Sequence, residues 1–474
     1  MGKRYDAPQP NYRTAKEQPM YRLLLIAYLF CLPASAEVAP APADFSLVEA
    51  VAASPAQPVF VPPGDHPIDA PLMFTQDGGG LYGPGRIVQT NPALPIIRVE
   101  KAADVRIEGV TLTRAEGTQD ATESALRAER AKGLVLSGVR VLENHSQSAA
   151  IRLDACEDAT IRDCVIRNYK NIGIDDRTPS PLYGYAFHCI DGAGIVLDKC
   201  VRTAILNNQV VEDRLLPTRE MKEAHQLGKL TDGREPLKPG ELARGVAERG
   251  YVDNWHQGSA IVVTGPEHTR HTRIQGNIIV NAAQGIDMHC DYANVSGNVI
   301  DHCMIGIKGT HGCFGVVVDG NTITHADLWG MIFNPGAASH GVEPAEGDTA
   351  PRPNNADAGI LISNNLIADY GNGNEYWNWG GREADAPSSY AIALMRGQLE
   401  SNPPLNDVLL QGNQVLASGA DTPPGATPRY RYAVYVEGWE DGERKDPRAA
   451  LSVRSSGNLF HAGQKGISNY PGLE

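Results

Sequence analysis

The chain has 474 residues, with 49 glycines, 33 prolines, 42 % hydrophobic residues and a formal net charge of −14. So much glycine and proline leaves little room for long helices, while the apolar share suffices for a sizeable core and argues against disorder. A net negative charge argues against a nucleic-acid partner, which needs clustered Lys and Arg, and any acidic polymer must be held by local cations or bound metal.

In chain order, residues 21–36 (YRLLLIAYLFCLPASA) read first as a secretory signal. Arg22 supplies the positive flank, Leu23–Leu32 the apolar run, and Ala34-Ser35-Ala36 the small-x-small cleavage site, with Met20 as an alternative start. The run is too short to span a bilayer, so a periplasmic or secreted protein with no membrane span in its mature chain is expected. The expected organisation is a signal at 1–36, a linker at 37–57 and one folded domain at 58–470. Seven of the eight cysteines follow the cleavage site, which leaves at least one free thiol. They form no C-x-x-C pair, so no zinc site is expected, and most read as small core residues.

From residue 106 onward one short pattern recurs: apolar, x, Gly-like, Asn-like, x, apolar. Its ten copies are RIEGVTL (106–112), LVLSGVRV (134–141), TIRDCVI (160–166), AILNNQVV (204–211), RIQGNIIV (273–280), VSGNVI (295–300), VVVDGNTIT (316–324), LISNNLIA (361–368), LLQGNQVL (409–416) and VRSSGNLF (453–460). Asn holds one register at 208, 277, 298, 321, 365, 413 and 458. Two steps are nearly bare, 21 residues from Asn277 to Asn298 and 23 on to Asn321. Short alternating strands at this repeat, with no helical period, predict an all-β, single-stranded right-handed parallel β-helix of about ten coils with inserted loops. Inward residues such as Ile261, Ile286 and Ile307 would stack in columns about 4.8 Å apart, and the Asn register would hydrogen-bond from coil to coil. The opening segments PVFVPPGDHPIDAPLMF (58–74) and GGGLYGPGRIVQT (78–90) resemble the start of the pectate-lyase-like superfamily. That places the first coil near 58–110 and the last strands near 451–468.

Insertions in a solenoid gather on one face and build binding surfaces. Four stand out: 175–192 with Arg177, Tyr183, Tyr185 and His188; 212–258, with a helix-like charged stretch, ending in Tyr251, Trp255 and His256; 334–357, Pro-, Ala- and Gly-rich and read as mobile; and 370–389 with Tyr376, Trp377 and Trp379. The aromatics suit either stacking on sugar rings or anchoring their own loops.

The plainest coils, 284–323, hold the densest reactive residues. The Asn register sets Ile286 over Ile307, Asp287 beside Lys308 and His289 beside Thr310, and strand alternation turns Asp287 and His289 to the same outer face. Asp291 and His311 fall near the same edge. The stretch GIDMHCD, followed one coil later by GIK, resembles the D-P-H-D coil of alginate C5-epimerases and related carbohydrate-binding β-helix proteins. Asp287 and His289 match its first Asp and its His, while Met288 replaces Pro, and Cys290 replaces the second Asp with Asp291 one place later. The resemblance implies that His289 abstracts the C5 proton of a uronate.

These residues suit proton abstraction beside a carboxylate: His289 as base, Asp287 to orient it, and Lys308, with Arg177 or a Ca²⁺, to neutralise the sugar carboxylate. Tyr185 or His256 would donate the proton. Arg177, His188, Trp255, His256, Asp291, His311, Trp377 and Trp379 are the expected substrate contacts. Elimination of O4 gives a lyase, the expected activity, and reprotonation on the opposite face gives an epimerase. A hydrolase using paired carboxylates, such as Asp175 and Asp176 with Asp287 and Asp291, and a non-catalytic glycan-binding protein remain alternatives. The expected partner is a polysaccharide or oligosaccharide and the expected state a monomer.

Overall fold

A computed structural model describes residues 45–117, 121–172, 178–180, 184–186, 190–213, 251–252, 258–371 and 389–473. Three long parallel sheets run its length. Sheet A has 12 strands from Pro58–Phe60 to Val453–Ser456, sheet B has 12 from Asp65–Ile68 to Leu459–Phe460, and sheet C has 11 from Leu72–Phe74 to Tyr432–Val436. Successive strands pass from A to B to C and back to A one coil further on, as in a right-handed parallel β-helix.

The ten motif copies are ten of the sheet A coils. The two others come from Pro58–Phe60 and Gly80–Tyr82, so the stretch read as one coil near 58–110 holds two and starts a third at Arg106–Glu108. Their corners use Pro62-Pro63-Gly64 and Gly83-Pro84-Gly85 in place of the Asn motif. Gly83 has φ +124, and a Cβ there would lie 2.5 Å from the Val61 carbonyl oxygen, so the tight corner requires glycine.

Elsewhere the corner between sheets A and B explains the motif. Gly276, Gly297 and Gly320 adopt left-handed backbone, with φ of 67, 62 and 64. Each is followed by the ladder asparagine. Asn208 donates its backbone N–H and its Nδ2 to Asn277 Oδ1, both at 2.9 Å, and its Nδ2 also to Ile161 O at 3.1 Å in the coil before. The pattern repeats from Asn277 to Asn298, Asn321, Asn365, Asn413 and Asn458. The ladder satisfies corner groups that the interior hides from water.

Inward, Ile195, Ile261, Ile286, Ile307, Met331, Ile392 and Val434 form one fully buried column. Each such side chain contributes about 1.5–3 kcal/mol by leaving water. The six described cysteines are buried and free of disulfides; Cys189 lies outside the described residues. The stretch 37–57, expected as linker, contains helix α1 (Leu47–Ala53), capped by Ser46. Leu47 and Val51, four residues apart on one face, join the core against the first coil, so α1 closes the apolar end of the solenoid. Among the described residues no helix is long and apolar enough to cross a membrane. The expected signal at 21–36 lies outside them.

The insertions are not scattered. The segments that follow Val165–Arg167, Gln209–Val211, Leu366–Ala368 and Gln414–Val415 all lead from sheet B to sheet C, so their described ends meet at the entry edge of sheet C. Residues 334–357 leave sheet C and return to sheet A, at its exit edge. Among the described residues, the outer face of sheet C is therefore a floor with 334–357 inserted at one margin and 416–431 at the other.

Candidate active site

The strands Gln284–Met288 and Ile305–Thr310 lie side by side on that floor, with Asp287 registered on Lys308 as the Asn spacing predicts. Asp287 is only 8 % exposed, although it points away from the core. Its two carboxylate oxygens are both engaged: His289 Nε2 lies 2.9 Å from Oδ1, and Lys308 donates to Oδ2 at 3.2 Å. Burial alone would raise the Asp287 pKa, but the Lys308 ammonium and the His289 ring outweigh it and hold the carboxyl well below the usual carboxylate range. An ionised carboxylate accepts the Nε2–H of His289, which fixes the neutral tautomer with Nδ1 as the acceptor nitrogen.

His311 completes the cluster. Its ring meets His289 edge-on, with centroids 4.8 Å apart. Burial, reinforced by His289 and Lys308, lowers its pKa to about 4, so it is neutral at pH 7. The Ala338 N–H approaches His311 Nδ1 at 3.5 Å. Residues 334–357, read as mobile, are folded onto the coils: Arg352 pairs with Glu267 and Glu343, and His340 Nε2 lies 3.1 Å from Glu267. Asp357 anchors their end, accepting from the backbone N–H groups of Gly312 (3.1 Å) and Cys313 (2.8 Å) and from Ser339 Oγ (2.7 Å). Burial outweighs those bonds and raises the Asp357 carboxyl to about 6. Ion pairs to Glu267, three coils back, are invisible in a Pro/Ala/Gly-rich composition and fix this loop beside His311.

Of the residues singled out from the sequence, Asp287, His289, Lys308 and His311 thus come together. Asp291 does not join them: its Oδ1 accepts from the Phe314 N–H at 3.2 Å in the turn towards sheet A, and burial raises its carboxyl to about 6. The Tyr185 backbone lies in Gly184–Ala186, paired with Thr178–Ser180 and, through Tyr251, with Tyr251–Val252. Arg177, His188, Trp255, His256, Trp377 and Trp379 lie outside the described residues, as do Asp175, Asp176 and the charged stretch read as helix.

The structure adds aromatics that the sequence reading missed. Trp329, Tyr390 and Tyr432 occupy one outward register on successive strands of sheet C. Tyr435 continues the Asp287–Lys308 column through Ile332 and Ala393. Tyr390 and Tyr435 stack at 4.2 Å with planes 9° apart, and Arg431 lies over Tyr432. Carrying the Asn register across the insertion between Asn321 and Asn365 would have found them. On the other side of Asp287 the same face carries half-buried Val262 and buried Val196, then Arg152, Arg127 and Arg98. These arginines pair with acidic neighbours two residues on or one coil away: Arg98 with Glu100, Arg127 with Asp154, and Arg152 with Asp154 and Asp198.

A calcium ion, raised from the sequence as a neutraliser, does not fit Asp287. Ca²⁺ takes six to eight oxygen ligands, and both Asp287 oxygens are committed to cationic or N–H partners.

The chain matches no protein-family model and no curated relative by sequence. Solved structures of similar fold include a PL6 alginate lyase in complex with a trisaccharide, 11 % identical over 91 % of this chain and 85 % of that chain, TM-score 0.46. The A-module of the mannuronan C-5 epimerase AlgE6 from Azotobacter vinelandii is 12 % identical over 88 % and 94 %, TM-score 0.41. An exopolygalacturonase from Thermotoga maritima is 11 % identical over 78 % and 81 %, TM-score 0.42. At these identities and TM-scores the likeness carries nothing beyond the parallel β-helix that the three sheets themselves show.

Proposed function

We propose that the chain is an exported carbohydrate-active enzyme that cleaves a uronate-containing polysaccharide by β-elimination. The observation that carries the reading is the Asp287–His289 pair, a buried carboxylate bound to one imidazole nitrogen and backed by a lysine. His289 Nδ1 takes the C5 proton. The electron pair left at C5 forms the C4–C5 double bond as the C4–O4 bond breaks, and the departing oxygen takes a proton from Tyr185. Asp287 holds the ring and stabilises the imidazolium, and Lys308 balances the negative charge that spreads onto the sugar carboxylate. The stacked Tyr390 and Tyr435 offer flat faces for neighbouring sugar rings.

The hydrolase alternative needs one protonated and one free carboxylate. Asp287 can be neither, because it stays ionised and both its oxygens are engaged. Residues 21–36 support export.

The test is incubation of the purified protein with a panel of uronate-containing and neutral polysaccharides. The expected result is ultraviolet absorbance from an unsaturated uronate, lost in His289→Ala. New reducing ends without that absorbance would show hydrolysis, and deuterium uptake at C5 without cleavage would show an epimerase. A positive assay unchanged in His289→Ala would remove His289 from the chemistry.

A further inference from the structure

A second cluster of reactive side chains lies at the other margin of sheet C, where sheet B ends. Val299–Asp301 and Thr322–Thr324 finish there, and the next residues, His302 and His325, both turn through left-handed backbone with φ of 54 and 52. Their rings stack at 4.4 Å, 17° from parallel. Asp301 holds both: His302 Nδ1 lies 2.7 Å from Oδ2 and His325 Nδ1 2.7 Å from Oδ1, where the Thr324 hydroxyl also donates at 2.7 Å. The far nitrogen of His325, Nε2, faces Asp421 Oδ2 at 2.7 Å. Asp369, at the same corner one coil further on, brings its carboxylate to the same place, and its Oδ2 accepts from the Asp421 N–H at 3.4 Å. One donor atom from each of His325, Asp369 and Asp421 lies within 4.8 Å of the others.

From this arrangement we propose that His325 Nε2, Asp369 and Asp421 bind a divalent cation of borderline softness, Zn²⁺ being the best match, with a fourth position open to water or a ligand oxygen. One imidazole and two carboxylates suit such an ion, whereas Ca²⁺ prefers oxygen alone. Asp301 is the outer partner such sites require: it takes the Nδ1–H of the ligand histidine, fixes the tautomer and aims Nε2 outward. Stacking on His302 keeps that ring from swinging. Two donor atoms on one Zn²⁺ at about 2.0–2.1 Å stand farther apart than the present 2.7 Å between His325 and Asp421. The adjustment falls on Asp421, which belongs to an insertion and has a side chain 74 % exposed. A glycine is also needed opposite Asp369, since a Cβ on Gly419 would lie 2.0 Å from its carboxylate. The absence of Cys pairs excludes only cysteine zinc sites.

The cation would clip the insertion that follows Gln414–Val415 to the coil corners at His325 and Asp369. That insertion borders the strand carrying Tyr432 and Tyr435, so the clip would set one margin of the floor. The site shares no residue with the Asp287 cluster and stands whether or not the chain is a lyase.

The test uses the full chain, free of affinity tags and dialysed against chelator, then titrated with Co²⁺ and Zn²⁺. The expected result is one equivalent of Co²⁺ with visible d–d absorption, displaced by Zn²⁺. Asp421→Asn and Asp301→Asn should each weaken binding about 10- to 100-fold, with circular dichroism unchanged. Zn²⁺ should slow proteolysis within 416–431 in the wild type but not in Asp421→Asn. His325→Gln should abolish binding; if it fails to fold, the exposed Asp421 position carries the test alone. No saturable binding by the wild type, or equal affinity in Asp421→Asn, overturns the proposal.

Discussion

The Asp287–Lys308 pair offers a quantitative test of the floor. In Asp287→Asn the amide keeps the volume and can still accept from His289, but its Nδ2 then faces the Lys308 ammonium, donor against donor. At 3.2 Å the two charges attract by roughly 5 kcal/mol at an effective dielectric of about 20, before desolvation is subtracted. Desolvating Asp287 offsets much of this, and Lys308, with its side chain 25 % exposed, keeps some water. A net coupling of about 2 kcal/mol is expected, with a loss of about 3 kcal/mol for Asp287→Asn alone. The assay is a double-mutant cycle with Lys308→Met, by urea unfolding, with hydrogen exchange on the sheet C strands because solenoids need not unfold in one step. The depressed Asp287 pKa gives stability that is full above about 3.9 and lost only as pH falls through the folded value, so the coupling should persist at pH 5. Turnover of whichever polymer proves to be the substrate should drop by about 10²–10⁴ in Asp287→Asn. Additivity of the two single losses to within about 0.3 kcal/mol, with turnover intact, refutes the reasoning.

Asn298→Ala removes the acceptor of two buried Asn277 donors and both of its own donations, to Ile274 O and Asn321, and should cost about 4 kcal/mol in urea unfolding; a loss below about 1 kcal/mol would show that the ladder is replaceable. Asp357, with its carboxyl raised to about 6 by burial, contributes stability that is full below about 4 and lost as pH rises through 6. Asp357→Asn retains the two backbone acceptor bonds and can donate to Ser339, so its stability relative to wild type should rise between pH 4 and pH 7; parallel pH profiles would contradict the assignment. In Gly336→Ala the new Cβ would lie 1.9 Å from His311 Nδ1, so His311 must leave its place against His289. The expected result is about a hundredfold loss of turnover with altered histidine ring resonances, and unchanged resonances would show that the loop yields instead.

What the sequence revealed depended on the bare coils. Between Asn277 and Asn321 nothing interrupts the repeat, so counting residues is the same as measuring positions, and Asp287 fell beside Lys308 as expected. Past Asn321 insertions break the count, and the Trp329–Tyr390–Tyr432 register went unseen. The first two coils were merged because Pro-Gly corners replace the Asn motif there. The loop 334–357 was misjudged because Glu267, which pins it, lies far away in sequence. Helix α1 was taken for linker because its two buried residues, Leu47 and Val51, make too short an apolar stripe to stand out.

Under the proposed function, the floor would meet an acidic substrate without a cationic groove. Arg98, Arg127 and Arg152 share the Asp287 register, yet all pair with Glu100, Asp154 or Asp198, so that stretch offers alternating charge. Val196 and Val262 follow and are apolar; then come the ionised dyad with Lys308, and beyond it the stacked tyrosines. Under the proposed lyase reading, Lys308, paired with Asp287 as the arginines are with their own acids, would stand where a uronate carboxylate develops extra charge, and the tyrosine rings would meet sugar faces. Charge placed at the reacting carbon acts on the transition state more than on the resting substrate, and such differential stabilisation accelerates a chemical step. Along most of the polymer, contacts to ring faces cost less desolvation than ion pairs would.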